Sequence, residues 1–260
     1  MSNASYITDL FNLSGKIALV TGSSRGLGQV FARGLAQAGA TVILNGRHSE
    51  HLEKAVMQLV NDGLSVYGAA FDVTDANEIG QSLSTIEEET GSIDILVNNA
   101  GVQLRTPLED VEPSLWRNII ETHLTGAFLV SRQVVKGMMN RKAGKIINIC
   151  SLASEISRKK VAPYAAAKGG LKMLTKAMAT EWGSYNIQVN GIGPGYFITD
   201  MTQPLAERSE FNAWLRERTP MARWGEPEEL IGAVIFLASP ASSFITGQIL
   251  YVDGGFLASM

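Results

Sequence analysis

The stretch "KIALVTGSSRGLG", residues 16–28, joins an apolar run to a glycine-rich turn. The run is rich in aliphatic residues and predicts a buried strand. Three glycines, Gly22, Gly26 and Gly28, follow it and lead into a helical pattern. Glycines there permit positive φ angles and a close backbone approach to a pyrophosphate, which the N-terminus of the helix attracts. The alternative interpretation is a tight strand-to-helix connection without a ligand.

The alternation of short apolar runs with longer helical segments continues along the whole chain. It is typical of a parallel sheet covered by helices on both faces, so the sequence predicts an α/β fold with a doubly wound sheet of about seven parallel strands. We expect a single domain over residues 1–260, in which the irregular, proline-containing region 194–225 covers a substrate. The predicted strands are "KIALVT" from Lys16, "TVILN" from Thr41, "VYGAAF" from Val66, "IDILVN" from Ile93, "KIINIC" from Lys145, "IQVNGI" from Ile187 and "QILYVD" from Gln248.

The composition argues against several classes of function. There are 22 basic and 25 acidic residues and no basic block, so we expect neither a nucleic-acid nor a membrane partner. No stretch approaches the ~20 apolar residues that span a bilayer, and the N-terminus lacks the pattern of a secretory signal. A single cysteine, Cys150, cannot form an internal disulfide, which favours a reducing, cytoplasmic compartment. We expect no metal site, because His48 and His51 lack further ligands nearby.

The end of the second predicted strand, "VILNGRH", bears on the choice of dinucleotide. A cofactor without the 2'-phosphate usually meets an acidic residue there, whereas a 2'-phosphate needs a cation. Asn45 and Gly46 supply no carboxylate, Arg47 follows them, and Arg25 lies in the glycine turn. This pattern favours NADP over NAD. The alternative is two solvated arginines, with the selectivity set elsewhere.

The stretch "PYAAAK", residues 163–168, places a phenol and an ammonium group four residues apart among small side chains. On a helix, Tyr164 and Lys168 share one face, so their polar ends can converge. The alanines between them allow a ligand to approach closely. Taken alone, the pair also fits an ordinary surface of an alanine-rich helix.

Five motifs in order, "TGSSRGLG", "NNAG", "PYAAAK", "GPGYFITD" and "VDGG", resemble those of the short-chain dehydrogenase/reductase family over nearly the whole chain. The resemblance implies a Rossmann-type fold and an NAD(P)-dependent enzyme. It implies that Tyr164 is the acid/base, that Lys168 binds the nicotinamide ribose, and that Ser151 polarises the substrate carbonyl. Ser151 alone also fits a cap or turn residue after the strand.

The same likeness implies a set of cofactor-binding positions. Asp72 is expected beside the adenine, Asn98 and Ala100 along the cofactor, and Thr199 near the nicotinamide amide. The full expected set comprises Gly22, Ser24, Arg25, Gly26, Leu27, Gly28, Arg47, Asp72, Val73, Asn99, Ala100, Gly101, Tyr164, Lys168, Pro194, Gly195 and Thr199.

Physical chemistry supplies a reason for the tyrosine and lysine roles. A free tyrosine has a pKa near 10 and is a poor base at neutral pH. We expect the ammonium group of Lys168, together with an oxidised nicotinamide, to favour the phenolate of Tyr164 and lower its pKa. Hydride then moves between cofactor and carbinol carbon while Tyr164 exchanges the proton of the oxygen and Ser151 stabilises charge on it.

One position departs from the family pattern. In "IIETHLTGAF", His123 occupies the place of the family's active-site asparagine, which helps hold a helix distortion and a water leading to the lysine. A histidine with a pKa near 6.5 can bind that water or relay a proton. The alternatives are that the histidine impairs turnover or that it has no catalytic role.

The segments "NNAGVQLR", "RKAGKIINICSLASE", "PGYFITDMT" and "RTPMARWGEPEELIGA" look like the gluconate 5-dehydrogenase branch of the family. That branch interconverts D-gluconate and 5-keto-D-gluconate with NADP(H). Arg105 can pair with a sugar-acid carboxylate, and Glu155 can accept hydrogen bonds from sugar hydroxyls. Either residue also fits an ordinary solvent-facing charge.

Two other functions remain open at this stage. One is a reductase of another carbonyl, such as a 3-oxoacyl thioester, for which residues 158–160, "RKK", offer a small basic patch. The other is a nucleotide-binding sensor without catalysis, supported only by His123. The family resemblance also implies a homotetramer that packs through the helix carrying Tyr164.

Overall fold

The computed structural model describes residues 3–103, 105–199 and 202–259. Within these residues, seven parallel strands form one sheet with helices on both faces, as the sequence predicts. The strands are β1 (Ile17–Val20), β2 (Thr41–Gly46), β3 (Val66–Ala70), β4 (Ile95–Asn98), β5 (Gly144–Ile149), β6 (Ile187–Pro194) and β7 (Ile249–Val252). Their spatial order is β3-β2-β1-β4-β5-β6-β7.

The helices connect consecutive strands or follow them. They are α1 (Asn3–Phe11), α2 (Gly26–Gln37), α3 (Ser49–Asn61), α4 (Ala76–Thr90), α5 (Pro113–Ile120), α6 (Gly126–Arg141), α7 (Ala162–Trp182), α8 (Gln203–Ala206), α9 (Ser209–Arg218) and α10 (Ile231–Ala238). Short 3-10 turns span Leu108–Asp110, Leu152–Ser154, Gly183–Tyr185, Pro227–Leu230 and Pro240–Ser242.

Two cores lie on opposite faces of the sheet because neighbouring residues of a strand point to opposite sides. In β1, Ala18 and Val20 face the core beneath α2, α3 and α10, whereas Leu19 faces the core beneath α4, α6 and α7. Each strand therefore buries both of its faces, which explains its continuous apolar run. Burial of this kind supplies most of the stability of the fold.

The order of the strands reverses between β1 and β4, which lie side by side with α2 on one face and α4 on the other. In a doubly wound sheet, ligands bind in the crevice at the carboxyl ends of the strands at this point. The glycine turn follows β1, and residues 98–101 follow β4. The topology thus brings the two motifs to the same edge.

The helical stretch that begins at Pro113 is interrupted in the structure. A π-helical segment, Glu121–Thr125, separates α5 from α6. The sequence pattern has no signal for this step, because each residue of the segment also fits an α-helix. Such π segments concentrate at functional sites, and this one carries His123 at its centre.

The region 194–225 contains the two short helices α8 and α9. Residues 200 and 201 of this region lie outside the described part of the chain. Aromatic side chains of this region form a cluster with Phe256. Tyr196, Phe211, Trp214 and Trp224 belong to this cluster, with ring centroids 5.2–6.3 Å apart.

Candidate active site

The glycine turn forms a cradle at the N-terminus of α2. A Cβ atom on Gly28 would lie 2.4 Å from the carbonyl oxygen of Gly22, so no side chain fits there. Gly26 has φ +58° and open space around its Cα. Arg25 precedes the helix and makes no side-chain cap, which leaves the first N–H groups of α2 available to a ligand. An open cradle beside uncapped N–H groups fits the pyrophosphate of a dinucleotide.

Asn99 and Thr21 hold this cradle against the end of β4. The side-chain amide of Asn99 donates to the carbonyl oxygens of Thr21, at 2.9 Å, and Gly22, at 3.0 Å. The Thr21 hydroxyl accepts hydrogen bonds from the backbone N–H groups of Asn99 and Ala100. Thr21 was not among the expected site residues, although it begins the "TGSSRGLG" motif.

Asn98 belongs to a polar chain inside the protein. Its amide donates to Ser131 Oγ at 2.9 Å and to Asn148 Oδ1 at 2.8 Å. Its Oδ1 atom is buried without a hydrogen-bond partner among the described residues. The side chain thus ties β4 to α6 and β5, and its expected place along the cofactor remains a prediction.

The structure shows the contacts of the residues near the end of β2 that were expected to select the dinucleotide. Asn45 is buried, and its side chain binds the backbone of the glycine turn and of the segment after β3. Arg47 is exposed, with its Nη1 atom 3.4 Å from Asp72 Oδ2. Burial alone raises the pKa of Asp72, but hydrogen bonds from Thr74 and the charge of Arg47 outweigh it and hold that pKa below its usual value.

The remaining expected cofactor residues lie on the loops at this edge, with Leu27 at the start of α2. Ser24 packs beside Gly46, and Gly195 packs closely on Asp253. Thr199 donates its backbone N–H to Thr202 Oγ1 at 2.9 Å. Val73 and Gly101 lie on these loops, and Pro194 is the last residue of β6.

Tyr164, Lys168 and Ser151 come together beyond the end of β5. The helix α7 carries Tyr164 and Lys168 one turn apart, with Lys168 Nζ 5.7 Å from the Tyr164 ring centroid. Ser151 follows β5, and its hydroxyl acts to lower the pKa of Tyr164. The Ser151 hydroxyl also accepts a bond from the Ala153 N–H at 3.1 Å, so it caps a 3-10 turn as well. The cap interpretation of Ser151 is therefore confirmed, and its role toward the substrate carbonyl stays a prediction.

The expected lowering of the Tyr164 pKa is wrong for the protein by itself. Burial raises the pKa of Tyr164, and the Ser151 hydroxyl opposes this only in part. Lys168 is buried too, which lowers its own pKa to about 8. Its Nζ donates to the Ile149 carbonyl oxygen at 2.5 Å. Desolvation thus dominates over the attraction between ammonium and phenolate, and Tyr164 is a protonated phenol at neutral pH.

His123 packs against Tyr164. Its ring lies edge-on to that of Tyr164 with centroids 5.2 Å apart. Its Nε2 lies 2.6 Å from the Val102 carbonyl oxygen. A Cβ on Gly101 would come within 2.3 Å of the imidazole, so the glycine makes room for this ring. The π-helical distortion is present with histidine in the place of asparagine.

The expected proton relay through His123 does not fit its environment. Burial, followed by the positive charge of Lys168, lowers the pKa of His123 to about 3. The imidazole is therefore neutral throughout the physiological range. When its Nε2 proton is donated to Val102, Nδ1 keeps a lone pair that has no partner among the described residues.

We expect His123→Asn to retain or raise activity and to stabilise the fold at acid pH. Between pH 6.5 and 3, His123 binds a proton in the unfolded chain but not in the folded protein. The free energy of unfolding of the wild type therefore falls as the pH falls. The loss in the free energy of unfolding from pH 7 to pH 4 should be smaller in the variant by about 3 kcal/mol. Urea denaturation at the two pH values measures it.

The exposed residue His48, changed to asparagine, is the matched control and should show no such difference. Equal acid sensitivity of His123→Asn and wild type would contradict a neutral, buried His123. A loss of turnover above about tenfold, or roughly 1.4 kcal/mol in the barrier, would give His123 a part of its own in catalysis.

Arg105 and Glu155, the two charged residues expected to contact the substrate, have different surroundings in the structure. Burial, then the charges of Arg158 and Arg208, lower the pKa of Arg105, so these three guanidinium groups lie near one another. Glu155 is engaged within the protein, because Lys172 Nζ lies 2.5 Å and Tyr251 Oη 2.6 Å from its Oε1. Its Oε2 atom can still accept hydrogen bonds, so the expected contact with sugar hydroxyls stays a prediction.

The sequence reasoning did not identify Tyr196 as a site residue. Tyr196 accepts a hydrogen bond from Arg158 through its hydroxyl and influences the pKa of both Tyr164 and Arg105. A signal was available in the sequence, since Tyr196, Phe211, Trp214 and Trp224 concentrate aromatic residues in the expected substrate region. The described residues contain no helix long and apolar enough to cross a membrane and no cluster of potential metal ligands.

Comparisons with known proteins cover nearly all of the chain. A family model described as enoyl-(acyl carrier protein) reductase matches residues 22–257. The 2-dehydro-3-deoxy-D-gluconate 5-dehydrogenase of Formosa agariphila is 52% identical over 254 residues, which cover 97% of this chain and 96% of that protein. The gluconate 5-dehydrogenase of Gluconobacter oxydans is 50% identical over 252 residues, with 97% and 98% covered.

Among solved structures, a gluconate 5-dehydrogenase from Burkholderia cenocepacia in complex with NADP and tartrate has a TM-score of 0.95 and 46% identity. The match covers 98% of this chain and 100% of that one. The fold, the order of the motifs and these relatives all indicate the same family. The chain belongs to the short-chain dehydrogenase/reductase family of NAD(P)-dependent oxidoreductases.

Proposed function

We propose that this protein interconverts D-gluconate and 5-keto-D-gluconate with NADP(H). The observation that carries the proposal is the Ser151–Tyr164 pair at the same end of the sheet as two arginines, Arg158, which is hydrogen-bonded to Tyr196, and Arg105 on the neighbouring loop. The pair is suited to a carbonyl and the arginines to a carboxylate. The named relatives act on six-carbon sugar acids, and the Burkholderia structure holds tartrate, itself a hydroxy acid.

In the direction of reduction, the carbonyl oxygen of the substrate accepts hydrogen bonds from Ser151 and Tyr164. Because burial raises its pKa, Tyr164 begins protonated and delivers its proton to that oxygen as negative charge develops there. The Ser151 hydroxyl can donate to the same oxygen while the Ala153 N–H holds it in place. In the reverse direction, Tyr164 first loses its proton to solvent, and the phenolate then accepts the proton of the alcohol.

The cofactor site uses the residues that form the cradle. The N–H groups at the start of α2 are placed for the pyrophosphate, and Lys168 for the nicotinamide ribose. NADP(H) held by these residues would supply or accept the hydride. Lys168 keeps a positive charge near the phenol below a pH of about 8.

A second candidate substrate is 2-dehydro-3-deoxy-D-gluconate, because the Formosa relative that carries this name is 52% identical. Oxidation of NADPH with 5-keto-D-gluconate, with the 5-keto product of that second acid and with a short 3-oxoacyl thioester separates these candidates. We expect the highest kcat/KM with 5-keto-D-gluconate. A preference for the thioester would contradict a sugar-acid substrate, and no turnover of any carbonyl despite cofactor binding would support the sensor.

We expect Arg47→Ala to weaken the preference for NADP. Arg47 is an exposed cation after β2, and its loss removes a partner for a 2'-phosphate that NAD lacks. The KM for NADP should rise roughly tenfold and that for NAD should change little. Steady-state kinetics with both cofactors measure the ratio. Arg33→Ala, which breaks an ion pair with Asp62 on α2 and α3, is the control; an unchanged ratio in Arg47→Ala would refute this role.

The proposal includes one dinucleotide-binding and catalytic domain over residues 1–260, with region 194–225 covering the substrate, in a cytoplasmic homotetramer. Support for assembly comes from exposed apolar side chains, among them Met173 on α7 (61% exposed) and Phe244, which is fully exposed. Such side chains favour association when they form a patch. Light scattering after size exclusion tests the tetramer.

A further inference from the structure

Three aromatic rings contact the guanidinium group of Arg158. Its Cζ atom lies 5.0 Å from the Phe211 centroid, 5.3 Å from that of Trp214 and 5.6 Å from that of Tyr196. One of its terminal nitrogens donates to the Tyr196 hydroxyl. Contacts between a guanidinium and ring faces are attractive and restrict its orientation.

Two neighbouring segments bring further arginines to Arg158. The Thr106 N–H donates to the Lys160 carbonyl oxygen at 3.1 Å, which joins the loop of Arg105 to the loop of Arg158. Helix α9 supplies Phe211 and Trp214, and Arg208 immediately precedes that helix. The three arginines, 105, 158 and 208, therefore come from three segments that contact one another.

These arginines form no ion pair with any residue in the described ranges 3–103, 105–199 and 202–259. Arg158 has five N–H donors, of which Tyr196 accepts one. Three like charges near one another repel unless an anion binds among them. The effect of Arg158 and Arg208 on the pKa of Arg105 reflects this repulsion.

The location relative to the reacting centre follows from the sheet. Strands β5 and β6 are paired with Ile149 opposite Ile192. Ser151 follows the first strand by two residues and Tyr196 follows the second by two, so both lie at the same edge. Arg158 is thus connected to the edge that carries Ser151 and Tyr164 through the Tyr196 hydroxyl.

We infer that Arg158 determines specificity by binding, together with Arg105, the carboxylate of the substrate at the end remote from the reacting carbonyl. The inference rests on the proposed function and adds a residue to it. The aromatic rings of Tyr196, Phe211 and Trp214 orient the guanidinium before the substrate arrives, which reduces the entropy lost on binding. A neutral sugar of the same length gains nothing from this group, so the enzyme selects acids.

Arg158→Met tests the inference, because methionine keeps apolar contact with the rings and removes the charge. The readout is kcat/KM for 5-keto-D-gluconate and for the neutral ketose that has a hydroxymethyl group in place of the carboxylate. We expect a loss of roughly 10- to 100-fold for the acid and no change for the neutral ketose. Arg158→Lys should recover part of the loss, since it keeps the charge without the planar fork.

The control is Arg132→Met on α6. Arg132 also lies over an aromatic ring, with Cζ 5.5 Å from the Phe128 centroid, but it is outside the site. Its variant should match wild type with both ketones. Equal losses for the acid and the neutral ketose in Arg158→Met, or no loss for either, would overturn the inference.

Calorimetric titration with tartrate in the presence of NADP separates this inference from the proposed function. Tartrate should bind wild type and Arg132→Met, and bind Arg158→Met at least roughly tenfold more weakly. A wild-type enzyme that reduces no sugar acid, yet loses tartrate binding in Arg158→Met, would refute the substrate and support the anion site. Turnover of the acid with unaltered tartrate binding in Arg158→Met would refute the anion site alone.

Discussion

Replacing Tyr164 with phenylalanine should lower kcat by roughly 10²- to 10⁴-fold, the range for loss of a general acid or base. The variant removes one oxygen atom from a side chain whose ring stays packed against His123. The alkoxide that forms at the carbonyl then has no proton donor, because Ser151 has a pKa far too high to replace the phenol. Stopped-flow absorbance of NADPH, with 5-keto-D-gluconate, measures the chemical step.

The cofactor should bind Tyr164→Phe almost as well as wild type, since the cradle at Gly28 and the N-terminus of α2 are unchanged. Tyr185→Phe is the matched control, because Tyr185 is 38% exposed in a 3-10 turn after α7. It should retain full activity. Residual activity in Tyr164→Phe within tenfold of wild type would exclude this tyrosine as the acid/base.

Replacing Lys168 with methionine should lower kcat/KM by roughly 100-fold or more, because the site loses both a donor to the ribose and a positive charge beside the phenol. The long apolar side chain of methionine fills most of the volume that lysine occupies. The Ile149 carbonyl oxygen loses its donor. Binding of NADPH, followed by fluorescence, should weaken as well, which distinguishes Lys168 from Tyr164.

The stability of Lys168→Met should depend on pH in a defined direction. Folding lowers the pKa of Lys168 from 10.5 to about 8, so between these values the unfolded chain holds a proton that the folded one has released. Wild-type stability therefore rises with pH across this window relative to the variant. Near pH 7, the variant no longer buries a charged group, and this gain in stability offsets the lost hydrogen bond to the Ile149 carbonyl oxygen.

Thermal unfolding at pH 7 and pH 9.5 checks this sign. We expect the two proteins to have similar Tm values at pH 7 and the wild type to gain on the variant at pH 9.5. A variant much less stable than wild type at pH 7 would indicate that Lys168 is mainly a structural residue. Its catalytic loss would then need the comparison with Tyr164→Phe to be interpreted.

Local sequence was sufficient for most of the fold. Each predicted strand begins within two residues of its observed start, for example Ile93 against Ile95 in β4. The apolar runs of a sheet buried on both faces are short and continuous, so they stand out from helical segments. The family resemblance implied a helix distortion at His123, but periodicity did not indicate the π segment at Glu121–Thr125, because its five residues differ from an α-helix only in hydrogen-bond register.

The candidate site was likewise predicted in part from the sequence. Ordered motifs identified Ser151, Tyr164, Lys168 and the glycine turn, because each occupies a characteristic place relative to a strand or helix. The ionisation of these residues was not predictable, since burial is a property of the packed structure. It raises the pKa of Tyr164, and it lowers that of Lys168 to about 8 and that of His123 to about 3.

By itself, the sequence determined the sheet, the family and the residue types at the reacting centre, because these depend on periodicity and on spacing along the chain. Only the tertiary structure decided that Glu155 is committed to Lys172 and that the segments of Arg105, Arg158 and Arg208 contact one another. Residues more than a hundred positions apart meet through packing of loops at one sheet edge. Their charges and solvent exposure, which set the chemistry, exist only after that packing.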